Sequence, residues 1–358
     1  MIYRNVITAM LALLSLAANI SAQSGGTFTI EKSVIAGGGE SSLGGTFTMD
    51  GTIGQSAAGT NLTGGSYNIE SGFWATPSAN RKSPFDFDGD GKSDPSVFRP
   101  SVGYWYILGS TAGFRSTPFG TNGDLIAPGD FDGDGKTDTA VFRPSIGYWY
   151  ILNSSDNSFR AIQFGQSGDI PATGDYDGDG KSDIAVFRPS AGTFYVLYSA
   201  DNSFHFQQWG QAGDRPVMGD YDGDDKTDFA IFRPAIGTFY ILRSSNAGVI
   251  GKQFGQNGDK PIAGDFDSDN KTDIAVYRPA TGSWYYLQSS DNDFRGVAWG
   301  ANGDIPSAGD YDGDGKWDVA VFRPSLGVFY ISQSTNGSLR AAQFGTNGDV
   351  PVPSAYAP

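Results

Sequence analysis

The chain has 358 residues, room for two domains or one large one, with 51 glycines, 14% aromatic and only 18% charged residues. That balance suits many short strands joined by tight turns better than helices. There is no cysteine, which excludes disulfides, thiolate metal sites, a cysteine nucleophile and a lipid-modified N-terminus. The net charge of −15 disfavours nucleic acid and anionic membrane as partners and favours cations.

Residues 1–22 read as a secretory signal peptide. Arg4 precedes an apolar run, residues 6–20, broken only by Thr8, Ser15 and Asn19, and the small pair Ser21-Ala22 precedes Gln23. The run falls short of the roughly 20 residues that span a bilayer, so cleavage after Ala22 is expected rather than anchoring. No later apolar run approaches spanning length, and the expected location is extracellular or at the cell surface, with no membrane span after cleavage. Residues 23–75 form a separate Gly-rich piece with a period of 19 to 20, opened by Gly25-Gly26-Thr27-Phe28, Gly44-Gly45-Thr46-Phe47 and Gly64-Gly65-Ser66-Tyr67. Three short strands, a small β-module, are expected there. Residues 76–83 read as a linker.

Residues 84–358 are dominated by a repeat. The string Asp-aromatic-Asp-x-Asp begins at Asp86, Asp130, Asp175, Asp220, Asp265 and Asp310, spaced 44 residues once and 45 thereafter. A period near 45 is that of a four-stranded propeller blade. Each unit has four strand-like runs, and in the unit starting at Asp175 the second (184–187) and third (194–198) are apolar on both faces, as strands buried on both sides are. The expected fold is all-β, a six-bladed β-propeller with a small N-terminal Gly-rich β-module. Seven blades is the alternative if the N-terminal region contributes one. A spare copy of the first run, Asp349-Val350-Pro351-Val352-Pro353, remains at the end. It is placed to supply, or compete for, the innermost strand of blade one and so remove an open edge.

The loop that opens each unit carries the chemistry. Its positions one, three, five and nine are carboxylates in every copy: Asp86, Asp88, Asp90 and Asp94; Asp130, Asp132, Asp134 and Asp138; Asp175, Asp177, Asp179 and Asp183; Asp220, Asp222, Asp224 and Asp228; Asp265, Asp267, Asp269 and Asp273; Asp310, Asp312, Asp314 and Asp318. Calcium needs six to eight oxygens and tolerates irregular geometry, whereas magnesium prefers to keep its waters. Alternate aspartates put short carboxylates on one side of a turn, and Gly at position six lets the chain reverse. The main-chain carbonyl of position seven, always Lys (Lys92, Lys136, Lys181, Lys226, Lys271 and Lys316), is a further expected ligand. The flanking strands, and Val or Ile where an EF-hand has its bidentate Glu, separate this loop from that motif. About six calcium ions are expected, which would bring −15 to about −3. With affinities of about 0.1–1 mM and calcium tenfold above that, six sites stabilise by roughly 8 kcal/mol. Asp225 replaces Gly at position six of loop four, so that loop is expected to bind most weakly; loop five departs at Ser268 and Asn270.

These residues, with the recurring Phe119-Gly120, Phe164-Gly165, Trp209-Gly210, Phe254-Gly255, Trp299-Gly300 and Phe344-Gly345, resemble the FG-GAP or VCBS-like repeats of integrin α-subunit propellers and secreted bacterial proteins. The resemblance covers residues 81–358. It implies a calcium-binding propeller used in adhesion or surface recognition. Integrin propellers have seven blades where this chain has six units.

Catalytic residues are expected to be none. The three glutamates, Glu31, Glu40 and Glu70, all precede the repeats, and the one histidine, His205, stands where other units have Arg115, Arg160, Arg295 and Arg340. A glycan or extracellular surface protein is the expected partner, a structural surface protein without a specific ligand is the alternative, and an extracellular hydrolase or lyase comes third. The sequence sets no oligomeric state. Candidate ligand contacts are the Arg of each Arg-Pro (Arg99, Arg143, Arg188, Arg233, Arg278 and Arg323) and the aromatic after it (Trp105, Trp149, Phe194, Phe239, Trp284 and Phe329), by stacking and charged hydrogen bonds. Because every copy keeps the pair, blade packing, with Arg bonded to a loop carboxylate or carbonyl, is the favoured role.

Overall fold

The computed structural model describes residues 83–356 and, before them, four short strands. The signal segment, the first Gly-rich run and nearly all of the linker lie outside the described residues. The chain divides into two units, residues 1–78 and 79–358. In the first, Ser42–Gly44 pairs with Phe47–Met49 and Asn61–Gly64 with Tyr67–Glu70, both antiparallel. The run expected after Gly25-Gly26 lies outside the described residues, while Phe47–Met49 and Tyr67–Glu70 fall on two of the three expected strands.

The second unit is six four-stranded antiparallel sheets, the blades of a propeller. Blade three shows the plan: Ile170–Pro171 innermost, then Ile184–Arg188, Thr193–Leu197 and Phe204–Gln208 outermost. Proline recurs in the innermost strand (Pro171, Pro216, Pro261, Pro306 and Pro351), which as an edge strand can do without that ladder N–H. The loop aspartates lie between the innermost and second strands.

Blade one is completed from the other end of the chain. Val350–Pro351 pairs with Ser96–Arg99 in the register Val350↔Phe98 and Pro351↔Val97, so the tail is the innermost strand and the ring closes at six. The core lies between blades: Phe142, Trp149 and Ile151 of blade two pack with Ile184 and Val186 of blade three. Second strands are buried on both faces, as in Ala185, Val186 and Phe187. Third strands are not, contrary to expectation. Phe194 and Val196 are buried, but Tyr195 and Leu197 are half-buried, because blades diverge with distance from the axis and open a seam along that face.

Candidate metal-binding loops

Blade three again shows the local logic. Asp175 folds the loop around itself: one carboxylate oxygen accepts the N–H of Gly178 at 2.6 Å and the other that of Gly180 at 2.9 Å. Both glycines sit in the left-handed region, at φ 81° and 86°. Asp183, wholly buried, accepts from Tyr176 N at 2.8 Å and from Ser199 N at 2.7 Å, fastening the loop to the turn between the third and outermost strands.

That turn supplies a feature the sequence reading missed. Ser199 Oγ donates to Asp179 at 2.9 Å. In blade two, Ser154 and Ser155 donate to Asp134 and Asp132 at 2.9 and 2.6 Å, and Ser244 and Ser245 do the same to Asp224 and Asp222 in blade four. The available signal was a hydroxyl always 20 residues after position five, from Ser110 to Ser334. Blade one is a variant. Its turn is one residue shorter, Asp88 accepts main-chain N–H groups from Thr111 and Ala112, and both Ser110 and Thr111 donate to Asp90.

The predicted carboxylates converge. Oxygens of Asp130, Asp132 and Asp138 lie within 4.8 Å of one another, as do those of Asp175, Asp177 and Asp183, and of Asp220, Asp222 and Asp228. In loops one and five the cluster is instead positions one, three and five. Burial pushes the carboxyls of Asp94 and Asp273 up to about 7 and those of Asp138, Asp183, Asp228 and Asp318 up to about 6. Hydrogen bonds from main-chain N–H groups work against this rise, and neighbouring aspartates add to it. Burial also raises Asp86, Asp175, Asp220 and Asp310. At Asp90 burial is outweighed by the hydroxyls of Ser110 and Thr111, and the pKa is lowered. Asp88 Oδ1 and Asp222 Oδ1, both at position three, are buried with no hydrogen-bond partner. A buried unpaired carboxylate oxygen is costly, and a cation is the partner it suits.

The position-seven lysines do more than offer a carbonyl. Five of the six stems (those of Lys92, Lys136, Lys181, Lys226 and Lys271) cover the position-four glycine of the preceding loop, where a Cβ on Gly178 would stand 2.7 Å from Lys226 Cε. Lys226 Nζ donates to Asp177 O at 2.9 Å. Main-chain bonds join the loops as well: the position-eight N–H of each donates to the position-one carbonyl of the loop before it, through Thr137, Ser182, Thr227, Thr272 and Trp317, and Ser93 to Asp310 closes the circle at 2.6 Å.

The arginine column takes a packing role. Arg188 makes a two-pronged bond to Asp169 at 2.8 Å, as Arg99, Arg143, Arg233, Arg278 and Arg323 do to Asp349, Asp124, Asp214, Asp259 and Asp304. Each guanidinium also lies 4.4–4.7 Å over a third-strand tyrosine ring. These partners are the aspartates that precede each innermost strand, not the loop carboxylates or carbonyls expected from the sequence. Trp105, Trp149, Phe194, Phe239, Trp284 and Phe329 are all fully buried, so none offers a ring face to a ligand. The indoles of Trp105, Trp149 and Trp284 donate to main-chain carbonyls. His205 is an exposed strand residue stacked on Tyr198 at 3.9 Å.

Among solved structures, the chain is similar to a streptogramin B lyase (9% identity, 76% of this chain and 91% of that one, TM-score 0.48). Others are a virginiamycin B lyase from Staphylococcus aureus (9%, 74% and 88%, 0.44) and an Agrocybe aegerita lectin described as recognising non-reducing terminal N-acetylglucosamine (16%, 70% and 76%, 0.46). At such identities and scores these likenesses bear on neither ligand nor activity. No curated protein sequence matches the chain. Residues 130–186, the second and third aspartate loops with the strands between them, match the FG-GAP-like repeat. The same loop and four strands recur around the closed ring, and the chain folds as a six-bladed β-propeller that carries an FG-GAP-like repeat.

Proposed function

We propose that this propeller binds calcium in its six aspartate loops and acts outside the cell as a recognition or adhesion module for glycans or surface proteins. The observation that carries the metal part is the convergence of three carboxylates in each of the first five loops, with buried oxygens of Asp88 and Asp222 left unpaired. Positions one, three, five and nine and the position-seven carbonyl are the proposed ligands. A hard cation there would neutralise crowded charge and brace the loop, as disulfides brace other exported proteins. The recognition part is supported by the FG-GAP-like repeat and by the lack of an identified acid–base or nucleophile pair among the described residues. Burial of the Trp and Phe column favours a second reading, a calcium-stabilised surface protein without a specific ligand.

A binding screen on glycan and matrix-protein arrays, in millimolar calcium and again in EDTA, tests both. A calcium-dependent hit is the expected result. Silence alongside a calcium-raised melting temperature would move the structural reading ahead, and a melt indifferent to calcium would remove the metal sites.

A further inference from the structure

The peptide group between positions seven and eight of each loop has two roles. Its carbonyl, on the lysine, is a proposed metal ligand. Its N–H, on the position-eight residue, donates to the main-chain carbonyl of position one in the preceding loop. Ser182 reaches Asp130 in this way at 2.6 Å, and Thr137, Thr227, Thr272, Trp317 and Ser93 reach Asp86, Asp175, Asp220, Asp265 and Asp310 at 2.6–2.7 Å. A trans peptide is planar, so its C=O and N–H point opposite ways and cannot turn independently.

The receiving peptide repeats the pattern. The position-one carbonyl shares its peptide with the N–H of position two, which donates to the position-nine carboxylate of its own loop. Phe131 N reaches Asp138 Oδ2 at 2.8 Å. Phe87, Tyr176, Tyr221, Phe266 and Tyr311 make the same bond to Asp94, Asp183, Asp228, Asp273 and Asp318 at 2.8–3.0 Å. Two peptide groups in series therefore run from the position-seven carbonyl of one loop to the position-nine carboxylate of the loop before it. Both end groups are proposed ligands, and the bond from Ser93 to Asp310 closes the series into a ring. The position-two aromatics and position-nine aspartates are all buried, so water competes little for these bonds.

We propose that the six loops bind calcium cooperatively, each filled loop fixing the peptide pair that its neighbour needs. Holding the position-seven carbonyl on a cation fixes the plane of its peptide, and with it the direction of the N–H that the preceding loop receives. Order that one ion has already imposed need not be imposed again by the next, which is positive coupling. Polarisation of peptides in series adds to it. This inference rests on the metal part of the function proposed above.

The test is native mass spectrometry of the full chain across a calcium titration, which counts the ions on each molecule. Metal-free and nearly full chains should dominate at half-saturation, with partly filled forms scarce. A statistical ladder of partly filled forms would overturn the coupling and leave the metal sites standing, whereas no bound calcium at all would remove both. Asp177→Asn weakens loop three through a carboxylate outside the series. The other loops of that variant should then need at least about fivefold more free calcium to half-fill. Independent loops would fill at the wild-type midpoint, and that result also overturns the proposal. Hydrogen exchange in the same variant, at limiting calcium, separates coupling from general loosening. Residues 130–138 and 220–228, in the loops on either side, should lose protection before residues 310–318 across the ring. Equal loss in all three segments would mean that the bonds between loops carry no coupling.

Discussion

Asp225, Ser268 and Asn270 occupy loop positions where the backbone is left-handed, at φ 64°, 72° and 66°, and where the other loops have glycine. Such a conformation costs roughly 1–2 kcal/mol for a residue with a Cβ and less for Asn. Asp225→Gly is therefore expected to stabilise the protein by about 1 kcal/mol in urea unfolding with EDTA present. It should also tighten calcium binding at loop four. An unchanged midpoint in EDTA would show that the loop carries no such strain. A second residue-scale prediction concerns Arg233, whose partner Asp214 is 1% exposed. Arg233→Ala strands a buried carboxylate and should cost about 3 kcal/mol. Adding Asp214→Asn should recover part of that loss, with ligand capture on the array unaffected. A variant that melts normally yet loses its ligand would return the arginine column to a binding role.

At the scale of the element, closure of the ring depends on very little chain. The tail contributes two ladder residues, the buried Val352 and the Asp349 carboxylate that holds Arg99. Deleting residues 349–358 exposes the edge of Ser96–Arg99 and leaves Arg99 without that partner. The melting temperature should fall on the order of 10 °C; an unchanged melt would mean that the tail does not hold the ring shut. This clasp was legible in the sequence, because a leftover fifth run has nowhere else to pair. The four strands per unit and the aspartate positions were legible for the same reason, six copies in one register. What stayed hidden is what periodicity does not encode. Ser154 and Asp134 meet across 20 residues because two turns emerge at the same end of a blade, and a list of residue types carries no such proximity. The half-burial of Tyr195 follows from how blades splay, while the run it belongs to reads as uniformly apolar. The Arg–Asp pairs span a strand boundary, and only the register puts Asp169 beside Arg188.

At the scale of the whole molecule, the six loops form one circle of main-chain bonds that gathers 24 of the 39 acidic residues at one end of the ring. Protons and calcium therefore compete for the same carboxylates. The position-nine acids bind protons more tightly in the fold, at about 6 or 7, than at the ordinary value of 3.8. Between roughly pH 4 and 7 the folded state thus holds more protons than the unfolded chain, and metal-free stability must decline as pH rises through that window. Calcium requires the deprotonated form, so its stabilising effect runs the other way and fades on acidification. Melts in EDTA are expected to be higher at pH 5 than at pH 8, while the increment from millimolar calcium is large at pH 8 and small at pH 5. Asp183→Asn, an uncharged mimic of the protonated acid, should flatten part of the pH dependence in EDTA and weaken the calcium increment at pH 8. General relief of the −15 net charge at low pH would also raise the metal-free melt, but it would leave the slope of the Asn variant like that of wild type. A metal-free melt that falls between pH 8 and pH 5 would mean that the buried aspartates are already compensated without a cation, and the case for six calcium sites would fail with it.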